Sequence, residues 1–360
     1  MERIGIIGLG RLGLCFALNL EKVGYTVLGL EKNEELVSKI QSKTLKSLEP
    51  EVELLLNNTS KLFASTETTV LKDTQTIFCF VATPSNEDGS FNHDQIIESF
   101  EVIKSLKSDK KINFIICCTT MPGFCESLQN SVDKTKISVL YNPEFIAQGS
   151  IIKDQLYPDQ ILIGGDDNEA ITALIEIYNR FILSKPNYHV LTSTEAEIAK
   201  LATNCFLTMK IAFANSLGDA CTSWGANSQQ VLNAIGSDSR IGNKYLKYGF
   251  GFGGPCFPRD NKALLFATNQ INIDFSFSKN TINENNKHFD FQLEQLLKEN
   301  KDTYFFESLG YKQNSDIIEE SQQLRLALAL SQQGKKVVVN KNDLSRTIIE
   351  AKYPAVFSWE

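Results

Sequence analysis

The chain begins with an apolar run and a glycine pattern that together admit few folds. The run RIGII leads directly into a GxGxxG sequence, and a helical pattern follows; the six residues are Gly8, Leu9, Gly10, Arg11, Leu12 and Gly13. A strand, this pattern and a helix in succession form the fingerprint of a dinucleotide-binding unit. The first glycine makes the turn, the second lets a pyrophosphate touch the backbone, and the third packs the helix on the sheet. The sequence therefore predicts a phosphate site at the start of this helix.

The next apolar run indicates which dinucleotide binds. YTVLGLE ends in Glu31, about 20 residues beyond the glycine pattern, where dinucleotide-binding folds place the acid that binds the ribose hydroxyls. A carboxylate at this position repels a 2′-phosphate, so NAD is favoured over NADP. The alternative is a glycine-rich turn without a ligand, which leaves the strand, the helix and the acid unexplained as a set.

Apolar runs and helical patterns alternate through the first half of the chain. Buried strands are predicted for RIGIIGLG, YTVLGLE, QTIFCFVAT, NFIICCTT, ISVLYNPEF and QILIGG. Strands that alternate with helices build a parallel sheet. We therefore expect an α/β fold that begins with a Rossmann-like NAD-binding domain over residues 1–192.

A helical region follows. One long amphipathic helix is predicted over residues 194–224, with Ser193 or Thr194 as its N-cap and Gly225 as its stop. Shorter helices in SQQVLNAIGSD and RDNKALLFATNQ complete a small helical domain over residues 193–284. The long helix has more apolar residues than one buried face accommodates, which predicts a homodimer formed through it.

The last part of the chain, residues 285–360, is predicted to form a third domain. A polar helix from Asn285 to about Glu299 precedes a strand–helix–strand–helix–strand pattern. That pattern is half the size of an ordinary α/β unit, so we expect a truncated Rossmann-like C-terminal domain.

Composition excludes several classes of protein. No apolar run reaches the roughly 20 residues of a membrane span, and the N-terminus lacks the features of a signal peptide. The net charge of −7 argues against a nucleic-acid surface. The eight cysteines show no paired spacing and no nearby histidines, which argues against disulfides and a zinc site. We therefore expect a metal-free cytoplasmic protein that binds neither nucleic acid nor membrane.

One cysteine differs from the others in its surroundings. Most cysteines lie in apolar runs such as FCFVA and IICC, where cysteine fills core space. Cys256 instead follows the glycine-rich stretch GFGFGGP and precedes Pro258, which suits a first helical position. A helix N-terminus favours thiolate, and a nicotinamide enzyme with a nucleophilic cysteine oxidises an aldehyde through a thiohemiacetal and a thioester. The alternative is a structural cysteine after a glycine turn.

Two polar residues on the long helix are candidate oxyanion donors. Lys200 and Asn204 are spaced i, i+4 and so share one face. Both side chains donate hydrogen bonds, as a developing oxyanion requires; the alternative is a solvated polar stripe. His93, His189 and His288 lie outside the motifs, so an alcohol dehydrogenase with a histidine base is poorly supported.

Five stretches resemble, in order, the nucleotide-sugar dehydrogenase family of the UDP-glucose 6-dehydrogenase type. They are GLGRLG, TTMPG, NPEFIAQGSIIKD, EIAKLATNCFLTMKIAFANS with DSRIGNKYLK, and GFGFGGPCFPRD, and they cover the chain to about residue 270. Members have two Rossmann-like domains joined by a long helix that forms the dimer. Members oxidise a sugar CH2OH to a carboxylate and reduce two NAD, so the resemblance implies NAD as cofactor and a nucleotide sugar as substrate.

The resemblance also implies roles for individual residues. Cys256 is the expected nucleophile, and Lys200 and Asn204 are expected to stabilise the oxyanion. The residues expected to organise water and proton transfer are Asp260, Thr120 and Glu144. Thr83 and Thr120 are expected beside the nicotinamide. The expected substrate contacts are Phe145, Ile146, Lys200, Asn204, Arg240 across the dimer, Tyr245 at the base, Gly249 and Gly253.

The chain departs from the family pattern in three places. Gln148 stands where many members have a second glutamate, so a carboxylate role there falls to Glu144. In YKQNSDIIEES, Glu319 replaces a family arginine, and the C-terminal domain, which binds the nucleotide sugar in the family, is short. PEFIAQG resembles the UDP-glucose and GDP-mannose branches. We expect oxidation of UDP-glucose to UDP-glucuronate; the alternatives are GDP-mannose oxidation and a degenerate nucleotide-sugar-binding protein without turnover.

Overall fold

The computed structural model describes residues 2–106, 108–312 and 315–360. The chain divides into two compact units, Met1–Lys200 and Leu201–Glu360, and the division falls inside one long helix. Each unit has its own sheet and its own hydrophobic core. No helix in the three described ranges has the length and apolar character that crossing a membrane requires.

The first unit contains an eight-stranded sheet with helices packed on it. Its strands are β1 (Arg3–Ile7), β2 (Thr26–Leu30), β3 (Leu62–Ser65), β4 (Thr76–Cys79), β5 (Ile112–Ile116), β6 (Ile137–Tyr141), β7 (Gln160–Gly164) and β8 (Asn187–Leu191). Its helices are α1 (Arg11–Lys22), α2 (Glu34–Gln41), α3 (Val52–Asn58), α4 (Asp94–Ser105), α5 (Phe124–Asn130), α6 (Ile151–Leu156), α7 (Asn168–Phe181) and the first turns of α8 (Ser193–Ser223).

The strand order in this sheet is β3-β2-β1-β4-β5-β6-β7-β8. The strands from β1 to β6 run parallel, β7 is antiparallel to β6, and β8 is parallel to β7. The order reverses between β1 and β4, and a doubly wound sheet binds its ligand outside the carboxyl ends of its strands at that point. The predicted α/β fold with a mainly parallel sheet is therefore confirmed, and the glycine pattern lies where the ligand binds. The prediction is wrong for the run QILIGG, because the strand it forms, β7, is antiparallel to β6.

Apolar side chains cover both faces of the sheet. Along β5, Ile115 joins the cluster that includes Phe16 of α1, whereas Phe114 and Ile116 join the cluster that includes Phe100 of α4. Successive side chains of a strand point to opposite faces. The continuous apolar runs in the sequence are therefore explained by strands that are buried on both sides.

The second unit contains a small parallel sheet and a set of helices. Its strands, in the order β11-β10-β9, are β9 (Thr303–Phe306), β10 (Lys336–Val339) and β11 (Ser358–Trp359). Its helices are the remainder of α8, α9 (Ser228–Gly236), α10 (Phe257–Gln270), α11 (Ser276–Lys298), α12 (Gln322–Gln332) and α13 (Arg346–Lys352). The predicted strand–helix–strand–helix–strand pattern is therefore present.

Three further features of the fold differ from the sequence prediction. Strands β3 and β8 are additional; one residue of β3 and none of β8 is fully buried, so neither produces a strong apolar run. The predicted N-cap of α8 is wrong. Thr192 caps this helix, because its Oγ1 accepts the Glu195 N–H at 3.3 Å while its own N–H donates to Glu195 Oε2 at 2.9 Å. This is a capping box, whose T-x-x-E signature is present in the sequence. The polar helix α11 begins at Ser276 rather than Asn285.

Candidate active site

Steric contacts require glycine at two positions of the first turn, and the turn over residues 8–13 forms an open cradle. Gly8 has φ +89°, and a Cβ there would lie 2.5 Å from the carbonyl oxygen of Phe80. A Cβ on Gly13 would lie 1.9 Å from the carbonyl oxygen of Gly8. A Cβ on Gly10 would meet no described atom within 4 Å. The protein therefore needs Gly8 and Gly13 for its own packing, whereas the space at Gly10 is open to a ligand.

Helix α1 begins at this cradle without a side-chain cap. Gly10 is its N-cap residue, and its first turn contains no acidic residue. The first amides of a helix lack partners within the helix and carry the positive end of its dipole. Arg11 is exposed and donates from Nη1 to Oε1 of Gln148 at 3.0 Å, while Leu12 packs against the core. A diphosphate suits this helix start.

Glu31 follows β2 and bonds the glycine turn. Its Oε2 accepts the N–H of Leu9 at 2.8 Å, and its Oε1 accepts the N–H of Asn33 at 3.0 Å. A carboxylate accepts about four hydrogen bonds, so these two orient the group and leave acceptors for ribose hydroxyls. The cradle, the helix start and this carboxylate are the groups that the diphosphate and ribose of NAD require.

Thr83 and Thr120 are both buried, in the segments that follow β4 and β5. The Thr120 hydroxyl donates to Oε1 of Glu197 at 2.9 Å. Glu197 also accepts the N–H groups of Gly123 at 2.6 Å and Cys125 at 2.9 Å, and burial raises the pKa of its carboxyl above the usual range. The Thr120 hydroxyl has one proton, and it donates that proton to Glu197. Its oxygen is therefore available to other groups as a hydrogen-bond acceptor.

Glu144 follows β6, and its side chain is half-buried. Its Oε1 is shielded from solvent and has no hydrogen-bond partner among the described residues. Burial raises the pKa of Glu144 to about 7, against the lowering effect of Lys200 and with a smaller raising effect from Asp154. A carboxyl that titrates near neutral pH has the property that a general base requires.

Lys200 is buried on α8 and contacts the same segment. Its Nζ donates to the backbone oxygen of Glu144 at 2.7 Å and lies 4.4 Å from the centroid of the Phe145 ring. An ammonium has three N–H donors, and this hydrogen bond occupies one of them. Ile146 packs its half-buried side chain against the core. The first unit thus brings Lys200 together with the predicted residues Glu144 and Phe145.

In the second unit, Cys256 lies at the start of a helix, as predicted. All eight cysteines are described; seven are buried, and Cys256 is exposed. Cys256 is the N-cap residue of α10, and its carbonyl oxygen accepts the N–H of Asp260 at 2.9 Å. The helix begins at Phe257, so Pro258 takes the second helical position rather than the predicted first. An exposed thiol at a helix N-terminus has the surroundings that favour thiolate.

Asn204 and Asp260 are joined directly. Nδ2 of Asn204 donates to Oδ2 of Asp260 at 2.5 Å, and both side chains are buried. Asp260 lies in the first turn of α10, one turn after Cys256. The bond orients the Asn204 amide and uses one of its two N–H groups. The second unit therefore connects two predicted catalytic residues.

The glycines before Cys256 pack against their own chain. A Cβ on Gly251 would lie 2.4 Å from Oδ1 of Asn285, and one on Gly253 would lie 2.0 Å from the backbone oxygen of Glu320. A Cβ on Gly249 would meet no described atom within 4 Å. Packing therefore accounts for Gly251 and Gly253, and Gly249 is the glycine of the three with open space beside it.

Arg240 and Tyr245 lie in the segment between α9 and α10, and both are exposed. Arg240 binds Asp238: its Nε lies 3.0 Å from Oδ1 and 3.2 Å from Oδ2, its Nη2 lies 2.6 Å from Oδ2, and its backbone N–H donates to Oδ1 at 2.9 Å. Tyr245 has φ +65°, and its ring meets Phe257 edge-on with 6.3 Å between centroids. A positive φ is uncommon for a residue other than glycine and is found at ligand sites, where the surroundings impose it.

Two buried side chains that lie outside the predicted site residues hold members of that set. Glu197 bonds Thr120, and Nε2 of His288 lies 2.7 Å from the backbone oxygen of Gly249. The signal for His288 is a polar stripe on α11, where Asn285, His288 and Gln292 are spaced i, i+3, i+7 and so share one face. A polar stripe on a buried face indicates that unpaired backbone groups lie opposite.

The C-terminal motif YKQNSDIIEES is described in part, because Gln313 and Asn314 lie outside the described residues. Glu319 contributes its backbone oxygen, which accepts the N–H of Gly254 at 3.0 Å. The motif therefore holds the glycine segment through the main chain at this position.

Comparisons with known proteins agree on one family. Residues 2–182 match the NAD binding domain of the UDP-glucose/GDP-mannose dehydrogenase family, and residues 194–287 match its central domain. The UDP-glucose 6-dehydrogenase YwqF of Bacillus subtilis is 31% identical over 338 residues, which cover 90% of this chain and 76% of that protein.

Solved structures give the same result. A UDP-glucose dehydrogenase from the hyperthermophilic archaeon Pyrobaculum islandicum matches with a TM-score of 0.90 at 27% identity, over 100% of this chain and 86% of that one. A UDP-D-ManNAc dehydrogenase from Pyrococcus horikoshii shares the fold, with a TM-score of 0.81 at 24% identity over 94% of this chain and 83% of that one. The Rossmann-like α/β fold and the NAD cofactor are thereby confirmed. The chain belongs to the UDP-glucose/GDP-mannose dehydrogenase family, and it carries out NAD-dependent dehydrogenation of a nucleotide sugar.

Proposed function

We propose that this chain oxidises UDP-glucose to UDP-glucuronate. The balanced reaction is R–CH2OH + 2 NAD+ + H2O → R–COO− + 2 NADH + 3 H+. NAD supplies the hydride acceptor for both oxidations. Support for this sugar nucleotide comes from the names of the Bacillus subtilis and Pyrobaculum islandicum relatives.

The observation that carries the proposal is the exposed Cys256 at the start of α10. Oxidation of an alcohol to an aldehyde needs no thiol. The proposed oxidation of the aldehyde uses one: the sulfur adds to the carbonyl carbon, the thiohemiacetal loses a hydride to NAD and a proton, and a thioester forms. Water then attacks the thioester, releasing the carboxylate and the Cys256 thiolate. The cysteine therefore explains how one enzyme carries out both oxidations.

In this proposal, Lys200 and Asn204 stabilise the oxyanion of the tetrahedral species. Each is a hydrogen-bond donor fixed by a second group, Lys200 by the Glu144 backbone oxygen and Asn204 by Asp260. Fixed donors stabilise a developing charge without the cost of reorienting at the moment of reaction. The remaining roles are those that the resemblance implies: Thr83 and Thr120 beside the nicotinamide, and Phe145, Ile146, Arg240, Tyr245, Gly249 and Gly253 at the sugar nucleotide.

Glu144 is the proposed base for thioester hydrolysis. Its pKa of about 7 leaves a useful fraction of carboxylate at neutral pH. Gln148, the neighbouring amide, has no basic group and instead accepts from Arg11.

The proposed location is a reducing compartment such as the cytoplasm, which keeps the Cys256 thiol available. The domain assignment 1–192, 193–284 and 285–360 remains part of the proposal.

The proposed reaction sets the yield of NADH. With limiting UDP-glucose and excess NAD, the NADH formed per sugar nucleotide should approach two, because both oxidations occur before the product leaves. The measurement is absorbance at completion together with chromatography of the product. A panel that adds GDP-mannose and UDP-N-acetylated sugars tests the substrate. A ratio near one with free aldehyde, or turnover with another sugar only, would contradict the proposal.

We also propose a homodimer formed through α8. Phe206 and Phe213 are seven residues apart, so they share one face of the helix, and they are 58% and 53% exposed. Exposed aromatic side chains that line up on one face indicate a partner surface. In the dimer, Arg240 is proposed to reach the substrate of the partner subunit.

Light scattering tests this proposal. The wild-type chain should have twice the monomer mass at micromolar concentration, and the Phe206→Glu/Phe213→Glu variant should have the monomer mass, because each buried charge without a partner opposes association. Phe305→Glu, at an equally exposed phenylalanine on β9, is the matched control and should leave the mass unchanged. A fully active wild-type monomer would refute the dimer.

A further inference from the structure

The backbone segment in front of the exposed cysteine is held by side chains from two helices. Asn215 on α8 accepts the N–H of Gly249 at 3.0 Å and donates to the oxygen of Phe250 at 3.3 Å. Asn285 on α11 accepts the N–H of Phe252 at 2.9 Å and donates to the oxygen of the same residue at 3.0 Å. Buried backbone groups require partners, and here side chains supply them in place of a neighbouring strand.

His288 provides a further anchor from α11 and is 1% exposed. Its Nε2 lies 2.7 Å from the backbone oxygen of Gly249. Its Nδ1 lies 2.8 Å from Oδ2 and 3.0 Å from Oδ1 of Asp219, on α8. A backbone oxygen accepts only, so Nε2 is the donor in the first contact. Making both bonds takes one proton on Nε2 and a second proton between Nδ1 and the carboxylate.

Tyr248 contacts both members of the Asp219–His288 pair. The hydroxyl of Tyr248 donates to Oδ1 of Asp219 at 2.9 Å, and the Tyr248 ring meets the imidazole edge-on at 5.6 Å. Burial, followed by the hydrogen bond and the charge of Asp219, raises the pKa of Tyr248 to about 12, so this hydroxyl keeps its proton. The imidazole is therefore clamped between one carboxylate and one backbone oxygen.

The hydrogen bond from His288 to Gly249 holds the segment that leads to the thiol. Gly249 is followed after six residues by Cys256, and the N–H of Gly254 between them is bonded to Glu319. The oxygen of Gly249 also accepts from Nε2 of Gln292 at 3.1 Å. Displacement of a reacting group by about 1 Å can cost about 100-fold in rate. An anchor at Gly249 therefore bears on the reactivity of the cysteine.

We propose that His288 is a positioning residue for Cys256: it holds the Gly249 oxygen against Asp219 and so fixes the glycine segment from which α10 and its thiol begin. The inference rests on the proposed role of Cys256 in the second oxidation. It assigns no chemical step to His288, and it explains why a histidine outside the sequence motifs is buried beside them.

Two variants of the full chain each remove one of the two hydrogen bonds of the His288 imidazole and keep the other. His288→Asn keeps a donor near the Nδ1 position, toward Asp219, but removes the bond to Gly249. His288→Gln keeps a donor near the Nε2 position, toward Gly249, but removes the bond to Asp219. The two amides match in chemistry and in the loss of the ring. The control is His189→Asn, at an exposed histidine on β8.

The first readout is the rate at which iodoacetamide alkylates Cys256 in the absence of substrates, followed by peptide mass. The second is kcat and KM with UDP-glucose and NAD. His288→Asn should change the alkylation rate severalfold and lower kcat about 10- to 100-fold, with KM for NAD unchanged. His288→Gln should stay within about threefold of wild type in both readouts, even where its melting temperature falls.

Equal behaviour of the two amide variants, or a wild-type alkylation rate in folded His288→Asn, would overturn the inference. If neither variant folds, Gln292→Leu removes the second donor to the Gly249 oxygen from a half-buried position. It should shift the alkylation rate in the same direction by a smaller factor, and no shift would overturn the inference. Alkylation does not depend on turnover, so failure of the proposed reaction leaves this test readable.

Discussion

Replacing Cys256 by alanine should abolish formation of the acid while leaving binding of NAD and the sugar nucleotide intact. The thiol has no part in the first oxidation, so slow conversion of the alcohol to the aldehyde should persist. In the proposed mechanism the second oxidation passes through a covalent thiohemiacetal, whose C–H hydrogen leaves as hydride, and alanine cannot form this adduct. The measurement is product analysis after mixing with NAD and UDP-glucose, together with binding titrations of both ligands.

The matched control for this prediction is Cys221→Ala, in the same unit at a buried cysteine on α8. It removes a thiol of equal size and should leave acid formation unchanged, although its stability should fall because a small cavity forms. Intact-protein mass spectrometry during turnover should detect a thioester adduct on the wild-type chain and none on Cys256→Ala. Undiminished UDP-glucuronate production by Cys256→Ala would mean that the cysteine is structural.

Replacing Glu144 by glutamine should lower the rate of thioester hydrolysis by about 10²–10⁴-fold, the usual contribution of a general base. The first oxidation should be affected far less, so the thioester adduct should accumulate. Glutamine keeps the size of the side chain and removes its basic oxygen. The measurement is steady-state kcat together with the fraction of adduct seen by intact mass.

The pH dependence of Glu144 follows from its pKa of about 7. A general base acts in its deprotonated form, so the hydrolysis rate should rise with pH through about 7 and fall below it. The Glu144→Gln variant should lose this limb. Glu169→Gln, at an exposed carboxyl in the same unit, should retain both the rate and the limb. A wild-type rate in Glu144→Gln would move water activation to another group, of which Asp260 is the next candidate.

Local patterns in the sequence were sufficient for the parallel sheet, the phosphate cradle and the surroundings of the cysteine. The GxGxxG turn can be recognised because Gly8 and Gly13 are imposed by contacts of a few ångströms between neighbouring segments. Cys256 stands out because its flanking glycines and proline set backbone geometry directly. The N-cap of α8 also has a local signature, the T-x-x-E capping box of Thr192, but the prediction placed this cap at Ser193 or Thr194 instead.

The tertiary structure alone decided which buried polar groups meet. Thr120 and Glu197 are 77 residues apart, and Gly249 and His288 are 39 residues apart, yet each pair is hydrogen-bonded. No local pattern specifies such partners, because a buried donor or acceptor takes whichever complementary group the fold leaves unpaired beside it. The sequence by itself determined most of the elements and the place of Cys256 at the start of a helix. Folding determined how that thiol is held, because buried polar groups that go unpaired cost free energy and are therefore matched across the chain.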